Sequence, residues 1–306
     1  MKAVVTGATG FVGKWLVDEL LKQGDSVTVV IRNKNSIPSA WTSKVTIIEA
    51  ALDVLATLKP EDFPENKADI FFHLAWDGTS GYDRADTCKQ LGNVAYACDA
   101  VRLASQLGCS RFVNAGSIME YEAMAYVPAI DTAPGMGYIY STAKLTADYM
   151  AKTVANKEQI TYINAVISNI YGVGEKSARF LNTTLRKMLC DEDIPLTHGK
   201  QPYDFIYVED AVKAIILAGK KGFGNRAYYI GNPKQRPLRD FIEEMKVILG
   251  SASNLQFDEV PFTGTMLEYE TLGMASLTEL GFVPQIAFSE GIRRTKKWIT
   301  EVEHEQ

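Results

Sequence analysis

The sequence predicts an α/β fold with a doubly wound parallel sheet and a smaller C-terminal lobe, and three observations carry that prediction. Short apolar runs at Lys2–Thr6, Ser26–Ile31, Val45–Glu49, Asp69–Ala75, Arg111–Ala115 and Thr161–Ser168 alternate with helical patterns, as in a parallel sheet covered on both faces. A glycine-rich loop, Thr6-Gly7-Ala8-Thr9-Gly10-Phe11-Val12-Gly13, joins the first run directly to the first helical pattern. After Gly172 the pattern shortens and is punctuated by Pro195, Gly199, Pro202, Gly222, Gly224 and Pro233, which predicts the second lobe.

Each element has its own reason. Met1 to Thr6 is a short apolar strand, and Phe11 to Lys22 places Phe11, Val12, Leu16, Val17, Leu20 and Leu21 at helical spacing. Between them, Gly7 permits the tight turn, Gly10 lets backbone approach a pyrophosphate, and Gly13 lets the helix pack on the strand. The helix start then offers unpaired N–H groups and a positive dipole end to phosphates. Longer helices are predicted at roughly 82–107 and 140–156, and a shorter one at 238–249. No repeats or low-complexity segments interrupt the chain.

Composition limits the function classes. With 306 residues, 46% hydrophobic and 23% charged, the chain reads as an ordinary soluble globular protein with one large domain and a smaller lobe. A net charge of −5, with basic pairs such as Lys220-Lys221 and Arg293-Arg294 scattered rather than massed, argues against a nucleic-acid surface. The four cysteines, Cys88, Cys98, Cys109 and Cys190, form no CxxC pair and have no histidine at metal-ligand spacing, so reduced thiols and no metal are expected. The start of the chain already reads as strand, and no apolar run reaches a membrane span. A cytoplasmic protein with no membrane or nucleic-acid partner is the expectation.

The second chemical signal is Tyr140-Ser141-Thr142-Ala143-Lys144. A tyrosine four residues before a lysine on a helix shares one face with it, and an ammonium near a phenol favours the phenolate, lowering a pKa of about 10. Tyr140 is thereby a candidate acid/base. The choice of dinucleotide is read at Val29-Val30-Ile31-Arg32-Asn33-Lys34. An acid closing the second strand would bind the adenosine ribose, whereas Arg32, with Lys34 close by, suits a 2′-phosphate. NADP is the cofactor favoured, and NAD stays possible.

Several ordered motifs together resemble an extended short-chain dehydrogenase/reductase of the NAD-dependent epimerase/dehydratase group, whose members modify nucleotide sugars on a Rossmann fold. They are the loop at 6–13, the run ending His73-Leu74-Ala75, Asn93-Val94, Ser117 in Asn114-Ala115-Gly116-Ser117, the Tyr140/Lys144 pair, Asn169-Ile170-Tyr171-Gly172, and Asp204-Phe205-Ile206-Tyr207-Val208-Glu209-Asp210. The resemblance implies a dinucleotide-binding domain of 1–170 plus about 205–230, and a substrate lobe of about 171–204 and 231–306. It also implies a homodimer through the two long helices.

The implied catalytic set is Ser117, Tyr140 and Lys144: Ser117 holds a substrate oxygen, Tyr140 moves its proton, and Lys144 holds the nicotinamide ribose and depresses the tyrosine pKa. Cofactor contacts are expected from Gly7, Thr9, Gly10, Phe11, Val12, Gly13, Arg32, Leu74, Ala75, Trp76, Tyr140 and Lys144, with Asn93 propping the active-site helix. Where relatives place an Asp against adenine this chain has Ala51, so the backbone of Ala51 and Leu52, or else Asp53, is expected there. Substrate positions are Trp76, Asp77, Ser117, Asn169 and Tyr203, with a Trp76 face suited to a sugar ring.

Reaction type turns on the residues after Ser117. Dehydratases of the group carry an Asp-Glu pair there, whereas Ile118 and Met119 transfer no proton and Glu120, one place late, is expected to point elsewhere. Hydride transfer alone, as in a 4-ketoreductase, or out and back, as in a 4-epimerase, remains, and Arg32 favours the reductase. Two diphosphate-gripping arginines of the group are Val166 and Tyr203 here, with Arg179 or Lys187 as possible substitutes, so reduction of a non-sugar ketone or aldehyde stays open. A non-catalytic NADP(H) sensor is disfavoured because both Tyr140 and Lys144 are kept.

Overall fold

The structure is a computed structural model that describes residues 1–126 and 136–304. The chain divides into two compact units. The first comprises Met1–Ile167, Val212–Ile230 and Met274–Phe282, and the second comprises Ser168–Ala211, Gly231–Gly273 and the residues from Val283 onward. The 231–306 stretch, expected to lie wholly in the smaller lobe, therefore contributes Met274–Phe282 to the first unit.

The first unit is built on a seven-stranded sheet. Its strands are β1 (Lys2–Thr6), β2 (Ser26–Ile31), β3 (Val45–Glu49), β4 (Ile70–His73), β5 (Arg111–Ser117), β6 (Thr161–Ile167) and the Arg226–Ile230 strand. Spatially the order is Arg226–Ile230, β6, β5, β4, β1, β2, β3, with every neighbouring pair parallel. This is the doubly wound sheet that the alternating pattern predicts. The order reverses between β1 and β4, and in open parallel sheets the crevice at that reversal, beyond the carboxyl ends of the strands, is where ligands bind. A cavity of about 370 Å³ lined by Lys2, Asp25, Ser26, Val45 and Lys67 lies instead at the opposite, amino end of these strands and holds none of the candidate residues.

Burial on both faces explains the apolar runs: Val5, Phe71, Phe72, Phe112, Tyr162 and Ile163 are all fully buried. Rings on neighbouring strands stack, Phe71 on Phe112 at 5.5 Å and Phe112 on Tyr162 at 5.9 Å. The helices of this unit include α1 (Phe11–Lys22), α2 (Thr87–Gln106), α3 (Met119–Tyr126) and α4 (Met136–Lys157). Along α4, Ala143, Ala147, Ala151 and Ala155 recur every four residues and share a core cluster with Ala97, Ala100, Val101 and Ala104 of α2. Such small side chains let two helices approach closely.

Several boundaries differ from the pattern reading: β5 runs on to Ser117 and β6 stops at Ile167, and three further differences each have a local reason. β4 ends at His73, because Leu74 and Ala75 leave the sheet to cross Gly7. The helix expected from residue 82 begins at Thr87, since Asp86 accepts the Lys89 N–H at 3.0 Å as its N-cap and Gly81–Ala85 forms a separate 3-10 turn. The helix expected from Tyr140 begins one turn earlier, at Met136.

The second unit carries short strand pairs, Ile170–Tyr171 with Ile206–Tyr207 and Pro202–Tyr203 with Arg236–Pro237, and the helices Phe180–Leu189, Leu238–Leu249 and Phe288–His304. Its core is an aromatic cluster of Tyr171, Phe205, Tyr207, Phe241 and Phe288. No helix among the described residues is long and apolar enough to cross a membrane.

Candidate active site

The glycine loop turns where only glycine fits. Gly7 has φ +70°, and a Cβ there would lie 2.6 Å from the Ala75 backbone nitrogen. At Gly13 a Cβ would lie 2.1 Å from the Gly7 carbonyl oxygen, so helix α1 seats on the loop backbone itself. Gly10 caps α1 with no side-chain hydrogen bond, and the first turn contains no acidic residue. The helix thus starts with unmet N–H donors and an uncompensated positive dipole end, a fit for a pyrophosphate that Thr9, Gly10, Phe11, Val12 and Gly13 would hold.

Thr6 and His73 stiffen the neighbouring strand ends. The Thr6 Oγ1 and His73 Nδ1 lie 2.9 Å apart, and the Ala75 N–H donates to Thr6 Oγ1 at 3.3 Å. Complete burial, with the nearby Lys144 charge, lowers the His73 pKa to about 3, so the ring is neutral and structural.

At the adenosine end, Arg32 is exposed just past β2. Lys34 is not equivalent to it: its ammonium lies 3.6 Å from Glu49, which also accepts the Lys34 N–H at 3.1 Å. Ala51 caps the 3-10 turn Leu52–Thr57, leaving Asp53 exposed and Leu52 packed on the core.

The residues expected to transfer a proton meet beyond β4 and β5. Tyr140 and Lys144 share a face of α4 and both are buried. The Lys144 Nζ donates to the Ala115 carbonyl at 3.0 Å and stands 3.7 Å over the Trp76 ring and 6.0 Å from the Tyr140 ring centroid. Trp76 meets Tyr140 edge-on at 6.1 Å and donates its Nε1–H to Gln90 at 2.9 Å. Lys144 therefore occupies one indole face, which leaves at most the opposite face for a sugar ring.

Ser117 ends β5, two residues before α3 begins at Met119. Its Oγ accepts the Met119 N–H at 3.2 Å, while Glu120 reaches back to accept the Ser117 N–H at 2.7 Å. Glu120 bonds back to Ser117 as in a capping box, although the hydroxyl takes the Met119 rather than the Glu120 N–H, and the Ser117 hydroxyl proton is left to donate. Glu120 is buried, its second oxygen accepts the Asn164 amide at 2.8 Å, and Asn164 in turn accepts from Asn114 at 3.0 Å. The Glu120 carboxylate points inward, a direction that the spacing alone did not specify. Burial first, and then the charge of Asp148, push its pKa up to about 8, against the opposing Ser117 N–H, Lys144 and Asn164.

Asn93 departs from expectation. Its amide donates to the Asp77 carbonyl at 2.8 Å and its carbonyl accepts the Asp77 N–H at 2.8 Å. It braces the loop after β4, which carries Leu74 to Asp77, and not the active-site helix.

On the second unit, the carboxylates of the Asp204–Asp210 stretch serve structure. Asp204 accepts from Ser168 Oγ at 2.8 Å and the Asn232 N–H at 2.9 Å, and Asp210 accepts the N–H groups of Gln285 and Ile286 at 2.8 and 2.7 Å. Tyr203 lies against Phe205 at 5.1 Å, and Asn169 is half-buried. Among the described residues no cluster of His, Cys, Asp or Glu is arranged to hold a metal.

A model of the NAD dependent epimerase/dehydratase family matches residues 3–231, which include the loop, Ser117, Tyr140 and Lys144. The chain belongs to that family. Among its relatives, CDP-abequose synthase of Salmonella muenchen is 25% identical, covering 96% of both chains. The dTDP-6-deoxy-L-talose 4-dehydrogenase (NAD(+)) of Aggregatibacter actinomycetemcomitans is 27% identical, over 80% of this chain and 89% of its own. A UDP-glucose 4-epimerase from Thermotoga maritima, solved with UDP-glucose, shares the fold at a TM-score of 0.79 and 20% identity, covering 99% of this chain and 100% of its own. The protein is thus an enzyme of the epimerase/dehydratase family.

Two residues of this family member's site were not anticipated in these roles. Glu120 had a visible signal, because Ser117-x-x-Glu120 has capping-box spacing at a strand-to-helix junction. Arg84, whose guanidinium lies 4.4 Å from the Tyr140 ring centroid, had none, since 56 residues separate the two.

Proposed function

We propose that this protein is an NADPH-dependent ketoreductase acting at C4 of a nucleotide-activated keto sugar. The observation that carries the reading is that Tyr140 and Lys144 share one face of α4 while the positions after Ser117 offer the substrate no acid: Ile118 and Met119 cannot carry a proton, and Glu120 is turned into the β5–β6 core. One proton-transfer group suits a single reduction rather than an elimination of water. The names of the relatives, which cite CDP-, dTDP- and UDP-linked sugars and a C4 dehydrogenase, support the substrate class.

When bound, the reduced nicotinamide supplies the hydride to the carbonyl carbon. Ser117 donates its hydroxyl hydrogen bond to the carbonyl oxygen and orients it. Tyr140 gives its phenolic proton to that oxygen, so carbonyl, hydride and proton together make the alcohol. Lys144, anchored on Ala115, stabilises the phenolate left behind. Arg32, exposed and with Glu49 committed to Lys34, is the residue for a 2′-phosphate. Asn169 and Tyr203 are proposed for substrate binding. A homodimer through α2 and α4 is supported by the exposed Leu91, Tyr149 and Met150 on those helices, and a monomeric mass in solution at micromolar concentration would remove it.

The test is calorimetric titration with NADPH and NADH, followed by CDP, UDP, dTDP and GDP in the presence of the cofactor. Tight NADPH binding, weakened roughly tenfold or more by Arg32→Ala, together with one preferred diphosphate is the expected result. Tight NADH with a preferred diphosphate would overturn the reductase in favour of an epimerase. Cofactor binding without any diphosphate binding would overturn the nucleotide sugar, a result that Val166, fully buried in β6, and Tyr203 in place of arginines would then explain.

A further inference from the structure

Arg84 sits on the 3-10 turn Gly81–Ala85, and its guanidinium carbon lies 4.4 Å from the centroid of the Tyr140 ring. Its Nε and Nη2 are shut off from solvent and have no hydrogen-bond partner. The adjacent acid does not neutralise it, because Asp83 is engaged by Lys89 at 2.7 Å. Apart from Arg32, which is exposed to solvent, the other arginines of this unit are matched, Arg102 with Asp99, Arg226 with Glu279, and Arg111 with the carbonyls of Gly219 and Gly222. A partly buried guanidinium without a counter-charge is costly unless something nearby carries negative charge at some stage of the protein's work. The group that it covers is the catalytic phenol.

We propose that Arg84 is a positioning residue for proton transfer that acts through Tyr140, a second cation beside Lys144 that favours the phenolate. A cation over an aromatic face is attracted by the ring's negative quadrupole, and that attraction grows when the ring becomes a phenolate. Arg84 therefore binds the ionised form of Tyr140 more strongly than the neutral form, and the phenol is a stronger acid for its presence. The Nε and Nη2 edge, free of any carboxylate, keeps its full charge for this purpose.

The other charged groups around this cluster do not supply that role. His73 of β4 is neutral, Glu120 of α3 is bonded to the Ser117 N–H and the Asn164 amide, and Asp148 of α4 pairs with Lys152 at 3.1 Å. Lys89 of α2 is held by Asp83. Among the described residues, Lys144 and Arg84 are the two cations at the Tyr140 ring.

This inference rests on the reading of Tyr140 as proton donor, and the experiment separates the two. The ultraviolet difference between the full-length protein and its Tyr140→Phe variant isolates the tyrosinate signal of Tyr140, which is titrated in otherwise identical backgrounds carrying Arg84, Arg84→Gln, Arg84→Met or Arg84→Lys. Expected is an upward shift of the Tyr140 transition by about 1 unit or more in the Gln and Met variants, largely rescued by Lys. The alkaline limb of kcat/KM for reduction should move up with it while cofactor affinity stays within a few-fold. An unmoved transition in both neutral variants would overturn the role of Arg84 alone, as would a raised KM with an unshifted pH profile, which would make Arg84 a receptor for a substrate anion. Undiminished turnover of Tyr140→Phe would instead overturn the proposed function.

Discussion

Two strand-to-helix junctions stand at the carboxyl edge of the same sheet, and they treat the helix start in opposite ways. At β1–α1 the cap is Gly10, with no side-chain hydrogen bond and no acid in the first turn. At β5–α3 the chain caps itself, with the Ser117 hydroxyl accepting the Met119 N–H, Glu120 accepting the Ser117 N–H, and both Glu120 and Glu122 in the first turn. Helix starts present unmet N–H groups and positive potential, which side chains or ligands satisfy. A bare glycine cap costs only about a few tenths of a kcal/mol relative to a capping side chain, and under the proposed function its use is to hold an anion from outside. Closing the second with protein groups fixes the Ser117 backbone and aims its hydroxyl, so that junction positions chemistry instead of cofactor charge.

The comparison breaks most completely at Gly13. A Gly13→Ala methyl would overlap the Gly7 carbonyl at 2.1 Å, against rigid backbone that has no rotamer to yield. Overpacking of this kind costs roughly 1–3 kcal/mol or more, and the bare junction can no longer hold its turn. Cofactor affinity is expected to fall at least about 100-fold on this basis, measured by titration, while circular dichroism confirms that the sheet persists. Near-native affinity would show that α1 can slide without loss of the phosphate cradle.

A gentler change sharpens the contrast. Gly10 has φ −74°, open to any residue, and a Cβ there meets only the Gly7 oxygen at 3.3 Å. Gly10→Asp would give α1 the cap that α3 already has. The variant should keep or slightly raise its melting temperature and lose roughly 10- to 100-fold in cofactor affinity, because its carboxylate takes the donors and repels the pyrophosphate. Gly10→Ala should lose far less. Equal losses for Asp and Ala would mean that space, not charge, is the reason for the bare cap.

How legible the two junctions were in the sequence follows from the same difference. The first is local: strand, glycines and helix are contiguous, and β1, α1, β2 and β3 fall on the residues that periodicity picks out. β4 was read two residues too far at its carboxyl end because that end is set by the passage of Leu74 and Ala75 over Gly7, a contact that no local pattern encodes. The Arg226–Ile230 strand was not picked out, although its pairing with β6 completes the sheet. Tyr140 and Lys144 were legible because one helical turn joins them. Asn93 was misplaced because a helix residue can brace any loop in reach, and only the fold shows it on Asp77. Gly116 hides a similar dependence: a Cβ there would lie 2.4 Å from the Asn164 amide oxygen, so the glycine makes room for the Asn164–Glu120 pair.

The self-capped junction carries the smallest predicted effect, on stability rather than on binding. Glu120 has a folded pKa raised from an ordinary value near 4.5 to about 8, first by burial and then by Asp148. The unfolded chain thus gives up the Glu120 proton at lower pH than the folded one. Between those two values the folded state binds more protons, so stability must fall as pH rises from about 5 to 8 and level off beyond. The drop should be of the order of a few kcal/mol at most, since the Ser117 and Asn164 donors favour the ionised form and oppose the burial effect. Glu120→Gln keeps the acceptor for the Ser117 N–H and removes the titration. Denaturant unfolding from pH 5 to 8.5 should show a declining midpoint in the wild type and a flatter line for the variant. If the two run parallel, the carboxylate is ionised in the folded protein at neutral pH, and the second junction holds a resident anion where the first awaits one.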